Sequence, residues 1–134
     1  MTTVIFACVH NAGRSQMAAA FFARFADPTK ARAISAGTRP GERVHPEVVD
    51  VMREKEIDVA GNRPQQLTDE LARSAEWLIT MGCGDECPVM PGLRRADWPL
   101  EDPMGKPRER VREIRDDVER RVRELVAAHG WLRD

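Results

Sequence analysis

Cys8-Val9-His10-Asn11-Ala12-Gly13-Arg14-Ser15 stands between two stretches of different periodicity. Before it, Thr3-Val4-Ile5-Phe6-Ala7 is the β-branched and aromatic kind of run that forms a buried strand. After it, Gln16-Met17-Ala18-Ala19-Ala20-Phe21-Phe22-Ala23-Arg24-Phe25 is rich in alanine, the strongest helix former. Met17, Phe21 and Phe25 fall at i, i+4 and i+8 on one face of that helix. The order is therefore strand, turn, helix, with a cysteine closing the strand and an arginine opening the helix.

That junction is suited to holding an anion. Amide N–H groups at a helix N-terminus have no intrahelical partner and carry the positive end of the dipole. A tight loop leading into them forms a nest for a tetrahedral oxyanion, built here from Val9, His10, Asn11, Ala12, Gly13, Arg14 and Ser15. Arg14 adds a planar fork able to grip two oxygens at once. Cys8 faces the same positive field, which suits a thiolate nucleophile. Asn11 tolerates a left-handed turn, Gly13 lets the backbone come close to the anion, and Ser15 can donate a hydrogen bond to the sulfur. The plainer reading of Cys8 is a buried, inert thiol at a strand end. The strand, the arginine, the serine and the helix together favour an anion loop.

A chain of 134 residues with net charge −1 reads as one domain, 1–134, with enough core to fold without disulfides. The charge gives no bulk reason to bind nucleic acid or a membrane. No stretch is long and apolar enough to span a bilayer, and the start has neither the basic lead nor the apolar length of a signal peptide. Three cysteines are too few and too odd for a disulfide framework, so a reducing cytoplasm is expected and the cysteines call for a chemical role.

Further along, Arg32–Thr38 reads as a second strand ending in a glycine turn, and Pro46 as the first residue of an amphipathic helix reaching about Glu56. Thr68 or Asp69 caps a short helix, and Glu76–Met81 is a third strand. Arg94–Trp98 reads as a short fourth strand, followed by a loop carrying Asp102-Pro103. Val111, Ile114, Val118, Val122, Leu125 and Val126 then mark a long helix with a charged outer face, ended by Gly130. Strands alternating with helices imply an α/β fold, a parallel four-stranded sheet flanked by helices. Ligands of such sheets bind at the carboxyl ends of the strands, where Cys8, Cys83 and Asp102 can meet.

Cys8-x5-Arg14-Ser15 near the N-terminus, with a late Asp102-Pro103, resembles the low-molecular-weight protein tyrosine phosphatase fold. Three further features resemble the thiol-coupled arsenate reductases of that fold: His10-Asn11 inside the loop with Arg14-Ser15-Gln16-Met17-Ala18 after it, Ser35-Ala36-Gly37-Thr38, and the Cys83/Cys87 pair. The resemblance implies that Cys8 attacks arsenate, that Arg14 and the loop amides hold the oxyanion, and that Asp102 protonates the leaving oxygen. It implies further that Cys83 attacks the Cys8 adduct and that Cys87 resolves the resulting disulfide, with reduced thioredoxin as electron donor and no bound cofactor. Arsenate, phosphate or sulfate are the implied ligands, weak phosphatase activity the implied side reaction, and a monomer is expected.

The chain departs from the family pattern at several positions. Cys83 and Cys87 are separated by only three residues, Met104 follows Asp102-Pro103 where the phosphatases usually carry tyrosine, and the chain contains no tyrosine. Ala19 stands where some members have a glutamate that helps bind potassium, so no metal site is carried over. A zinc reading of Cys83 and Cys87 with His10 or His45 lacks the second ligand pair usual for such sites. His10 is read as structural, and His45 and His129 as incidental. The two competing functions are a tyrosine phosphatase, which needs no relay cysteines, and an arsenate reductase coupled to a low-molecular-weight thiol.

Overall fold

The computed structural model describes residues 1–82 and 92–133. Strands β1 (Thr2–Cys8), β2 (Ala31–Gly37), β3 (Trp77–Thr80) and β4 (Arg94–Asp97) form one sheet in the order β2-β1-β3-β4. All three pairings are parallel. The helices are α1 (Arg14–Phe25), α2 (Pro46–Arg53), α3 (Asp69–Arg73) and α4 (Arg108–Ala128). This is the expected α/β architecture with a four-stranded parallel sheet.

A central parallel strand is covered on both faces, so its apolar run is continuous rather than alternating. In β1, Val4, Phe6 and Cys8 face one core, packed against α1, α2 and α4, while Ile5 and Ala7 face a smaller one with Ala36, Leu67 and Leu78. The pairing Cys8↔Gly37 brings the ends of β1 and β2 level. Thr80 lies beside both Ala7 and Asp97, so the segments that follow β1, β3 and β4 leave the sheet at the same edge.

Element boundaries differ from expectation by a residue or two, except at α2. That helix ends at Arg53, because Glu56 has a left-handed φ of 62° that turns the chain out of it. Arg24 then donates to the carbonyls of Lys55 (2.6 Å) and Glu56 (3.1 Å), while Arg133 donates to those of Ala23 and Arg24 near the end of α1. Guanidinium groups thus satisfy carbonyls that helix ends leave without backbone donors.

Four side chains add to or depart from the sequence reading. Phe22 is fully buried, edge-on to Phe6 at a ring separation of 5.9 Å, whereas Phe25 is only partly buried under the Arg123 guanidinium. The cause is α4, which packs on α1 and widens the buried face beyond the Met17–Phe21–Phe25 row. His129 is not isolated: it stacks on Trp131 at 4.6 Å and meets Trp77 edge-on. Arg115 belongs to the charged face of α4 yet is only 7% exposed, donating to the Val51 carbonyl (2.8 Å) and to Glu54 (2.7 Å). Its buried charge is tolerated because carboxylates of Glu54 and Asp116 pair with it.

Glu54 ties α2 to α4 and titrates accordingly. Hydrogen bonds from Arg112, then from Arg115, hold its carboxyl down from 4.5 to about 2. A carboxylate whose pKa is depressed by folding stabilises the native state above its unfolded value and stops doing so as pH falls to the folded one. Glu54→Gln should therefore lower the melting temperature at neutral pH. Its difference from wild type should shrink as pH falls from 4.5 towards about 2. Melting curves followed by circular dichroism across that range test this; a pH-independent difference would contradict it.

Candidate functional site

Between β1 and α1 the chain must reverse within five residues, 9–13. Asn11 makes the tightest part of that turn with φ 50°, a left-handed conformation that asparagine accepts more readily than most residues. Each loop carbonyl is taken by a donor from outside. Cys8 O accepts from Thr38 N (3.2 Å), Val9 O from Arg39 N (2.8 Å), His10 O from Gly41 N (2.9 Å) and Ala12 O from His45 N (2.9 Å). Asn11 O accepts from the Gln16 side chain (2.9 Å), and Gly13 O from Met17 N (3.0 Å) as α1 begins. In a planar trans peptide the next N–H points opposite to the C=O. Carbonyls tied down on the outside therefore aim the amides of residues 9–14 at the inside of the loop, where Ser15 N–H joins them from the first turn of α1. The positive ends of a row of dipoles converge on one concave space, as an anion requires.

The sequence motif Ser35-Ala36-Gly37-Thr38 has its physical meaning here. A Cβ on Gly37 would stand 2.5 Å from the Val9 carbonyl oxygen and 2.9 Å from Asn11 N. Only glycine lets β2 pass so closely under the loop that Thr38 and Arg39 can reach its carbonyls.

At the floor of the loop a hydrogen-bond chain leads from Gln65 to Cys8. Gln65 N–H, which can only donate, gives its proton to Asn11 Oδ1 at 3.0 Å. That sets the Asn11 amide, whose Nδ2 donates to Ser15 Oγ at 2.7 Å. Ser15 Oγ accepts there and lies 2.9 Å from Cys8 Sγ, so its own proton is available to a Cys8 thiolate, which can only accept. Cys8, Asn11 and Ser15 are at most 2% exposed. The sulfur thus has a buried hydroxyl partner inside the loop.

Arg14 enters from the first turn of α1 and is 6% exposed. Its Nη1 donates to Leu100 O at 3.0 Å, and its Nη2 lies 3.8 Å from Asp102 Oδ2. The second Asp102 oxygen accepts from Met104 N at 3.0 Å, so one oxygen is held by its own loop and the other faces the guanidinium. Pro103 packs on the anion loop, its Cγ 2.9 Å from where a Cβ of Gly13 would stand. The bare face of Gly13 is thus occupied by Pro103.

The structure therefore gathers Cys8, Arg14, Ser15, Asn11 and Asp102 at one edge of the sheet, with Val9 and His10 half-buried on the loop. Cys83 and Cys87 lie outside the described residues. Among the described residues no three His, Cys, Asp or Glu side chains cluster as a metal site would require, and no helix is long and apolar enough to cross a membrane. The supporting residues Gln16, Thr38, Arg39, Gly41, His45, Gln65 and Leu100 have no role in the sequence reading. Only the Ser35–Thr38 motif and the Gln16 position hinted at any of them.

Asn11→Asp tests the directed chain with a side chain of equal size. It removes the Nδ2 donor and adds negative charge beside the anion. Phosphate affinity, measured by titration calorimetry, should fall by about 10-fold or more, since leaving a buried polar group unpaired costs ~1–3 kcal/mol. Ser15→Ala, which adds no charge, should cost less. Wild-type affinity in Asn11→Asp would overturn the assignment.

Comparison with known proteins places this geometry. The family model described as low molecular weight phosphotyrosine protein phosphatase matches residues 3–130. The chain is 35% identical over 130 residues to the glutaredoxin arsenate reductase of Synechocystis sp., covering 95% of this chain and 98% of that one. It superimposes on the thioredoxin-dependent arsenate reductase of Corynebacterium glutamicum with a TM-score of 0.83 and 37% identity, over 97% of this chain. It spans 62% of the length of that Corynebacterium chain. An arsenate reductase solved in its phosphate-binding state gives a TM-score of 0.82 at 33% identity, covering 96% of this chain and 98% of that one. The chain belongs to the low molecular weight phosphotyrosine protein phosphatase family, and within it resembles the arsenate reductases.

Proposed function

We propose that the protein reduces arsenate to arsenite, acting as a cytoplasmic monomer with 1–134 as its single catalytic domain. The observation that carries this reading is the loop of inward amides closed around a buried cysteine sulfur, with Arg14 and Asp102 at its mouth. The loop accepts a tetrahedral oxyanion without regard to whether its centre is phosphorus or arsenic. The names of the relatives and the Cys83/Cys87 pair favour arsenate.

The reaction then runs in three thiol steps. The Cys8 thiolate attacks arsenic and an oxygen departs, protonated by Asp102 and leaving as water, which forms a Cys8–arsenic(V) adduct. Loop amides and Arg14 hold the remaining oxygens. The Cys83 thiolate attacks Cys8 Sγ, the sulfur–arsenic electron pair passes to arsenic, and arsenite leaves as a Cys8–Cys83 disulfide forms. Cys87 attacks the Cys83 sulfur, freeing the Cys8 thiolate and leaving Cys83–Cys87 oxidised. Reduced thioredoxin supplies the two electrons that reopen that pair. The Synechocystis relative is a glutaredoxin arsenate reductase by name, which motivates the competing coupling through a low-molecular-weight thiol.

With phosphate esters the first two parts of the machinery suffice, and weak phosphatase turnover follows. Cys8→Ser should abolish both activities, because a serine hydroxyl is far harder to ionise and no base stands beside it. Asp102→Asn should slow aryl phosphate cleavage by about 100-fold or more, the scale of a lost general acid. Cys83→Ala should stop arsenate-dependent NADPH oxidation by thioredoxin and its reductase while sparing the phosphatase. Cys87→Ala should trap Cys8–Cys83 after one cycle, seen by peptide mapping. Phosphatase activity lost with Cys83 would sink the division of labour. A mixed disulfide with a small thiol, with both Cys83 and Cys87 reduced, would establish the competing coupling.

A further inference from the structure

Arg14 fills a space that a side chain at position 82 would claim. Gly82 follows β3 with φ +87°, in the left-handed region. A Cβ built there would overlap Arg14 Nη1 and stand 3.4 Å from Cζ and 3.1 Å from the Leu100 carbonyl oxygen. The Leu100 oxygen is the acceptor for Nη1. One edge of the guanidinium is therefore pinned between a bare α-carbon and a backbone carbonyl, and its other nitrogen is left towards Asp102. A methyl group at 82 would drive the planar group away from Leu100 and shift it at the mouth of the loop.

We infer that Gly82 is a positioning residue for Arg14: its missing side chain sets where the guanidinium sits, and so how tightly the loop holds an oxyanion. The inference deepens the proposed function and rests on its oxyanion site, but not on the relay or on arsenate. It assigns the third strand's end a part in binding, carried by the size of one residue.

The molecule contains its own control. Gly92 has nearly the same φ as Gly82, +86°, but nothing among the described residues lies within 4 Å of its hypothetical Cβ. Alanine at either position is placed at a positive φ, and at 82 it also meets Arg14. The probe is inorganic phosphate bound to the full-length protein, measured by titration calorimetry, with folding followed by circular dichroism. Gly82→Ala should lose about 10-fold to 100-fold in phosphate affinity, the scale of a displaced charged hydrogen-bond donor, while Gly92→Ala stays within about twofold of wild type. In an Arg14→Lys background, which lacks Nη1, adding Gly82→Ala should change affinity by less than about threefold. If Gly82→Ala alone does not fold, the double variant Gly82→Ala/Arg14→Lys should, because the overlapping atom is gone. Unchanged affinity in a folded Gly82→Ala, an equal loss in Gly92→Ala, or a double variant that still fails to fold would each overturn the inference. Wild-type protein that binds no phosphate would overturn the oxyanion site itself.

Discussion

An anion loop works only if its carbonyls look away from the anion. A single reversed peptide would aim the negative end of a dipole at the charge it should hold. In this protein the condition is met by supply from behind: the segment 38–45 donates four backbone N–H groups to the loop, and α1 provides the other two donors. Much else in the fold serves that supply. The β1–β2 register brings Gly37 level with Cys8, and the absence of a side chain on Gly37 lets β2 come close enough to deliver Thr38 and Arg39. The start of α2 at Pro46 leaves His45, its N-cap, free to donate to Ala12.

The chemistry of the site is a second consequence of direction. A serine near a cysteine is common and means little until one knows which way its proton points. Here a backbone N–H fifty-four positions away in the chain orients the asparagine amide that donates to that serine. A Cys8 thiolate has the Ser15 hydroxyl within reach as a donor. Asp102, by contrast, is 40% exposed at the mouth, where a proton can be exchanged with solvent.

Much of this was legible in the sequence. The strand–loop–helix unit declared itself because apolar periodicity changes from strand to helix across Cys8–Ser15, and the four strands follow from their own β-branched or flanking turn signals. The Cys8–Ser15 contact and the left-handed Asn11 follow from residue chemistry alone. What escaped are contacts made by backbone groups or by absence. Any residue can donate an N–H, so Gln65, Thr38 and His45 carry no signature of their role. The Leu100 carbonyl and the empty side of Gly82 are equally silent. Arg115 was read with the solvated face because helical spacing places it among charged residues. Its burial is decided by Glu54, which sits on another helix. Phe22 in place of Phe25 is the same lesson: the width of a buried face depends on what covers it.

The described partners of the loop lie far along the chain, Gln65 beyond α2 and Leu100 beyond β4. None of the concave surface exists in a local fragment, because β1, the loop and α1 alone lack most of the donors that turn the peptides. The binding energy of an oxyanion is therefore available only to the assembled chain, and by mass action a ligand at this site stabilises the whole fold, not the loop alone. An oxyanion seated in the loop as proposed would thus act as a folding ligand, coupling the protein's persistence to the anion it meets.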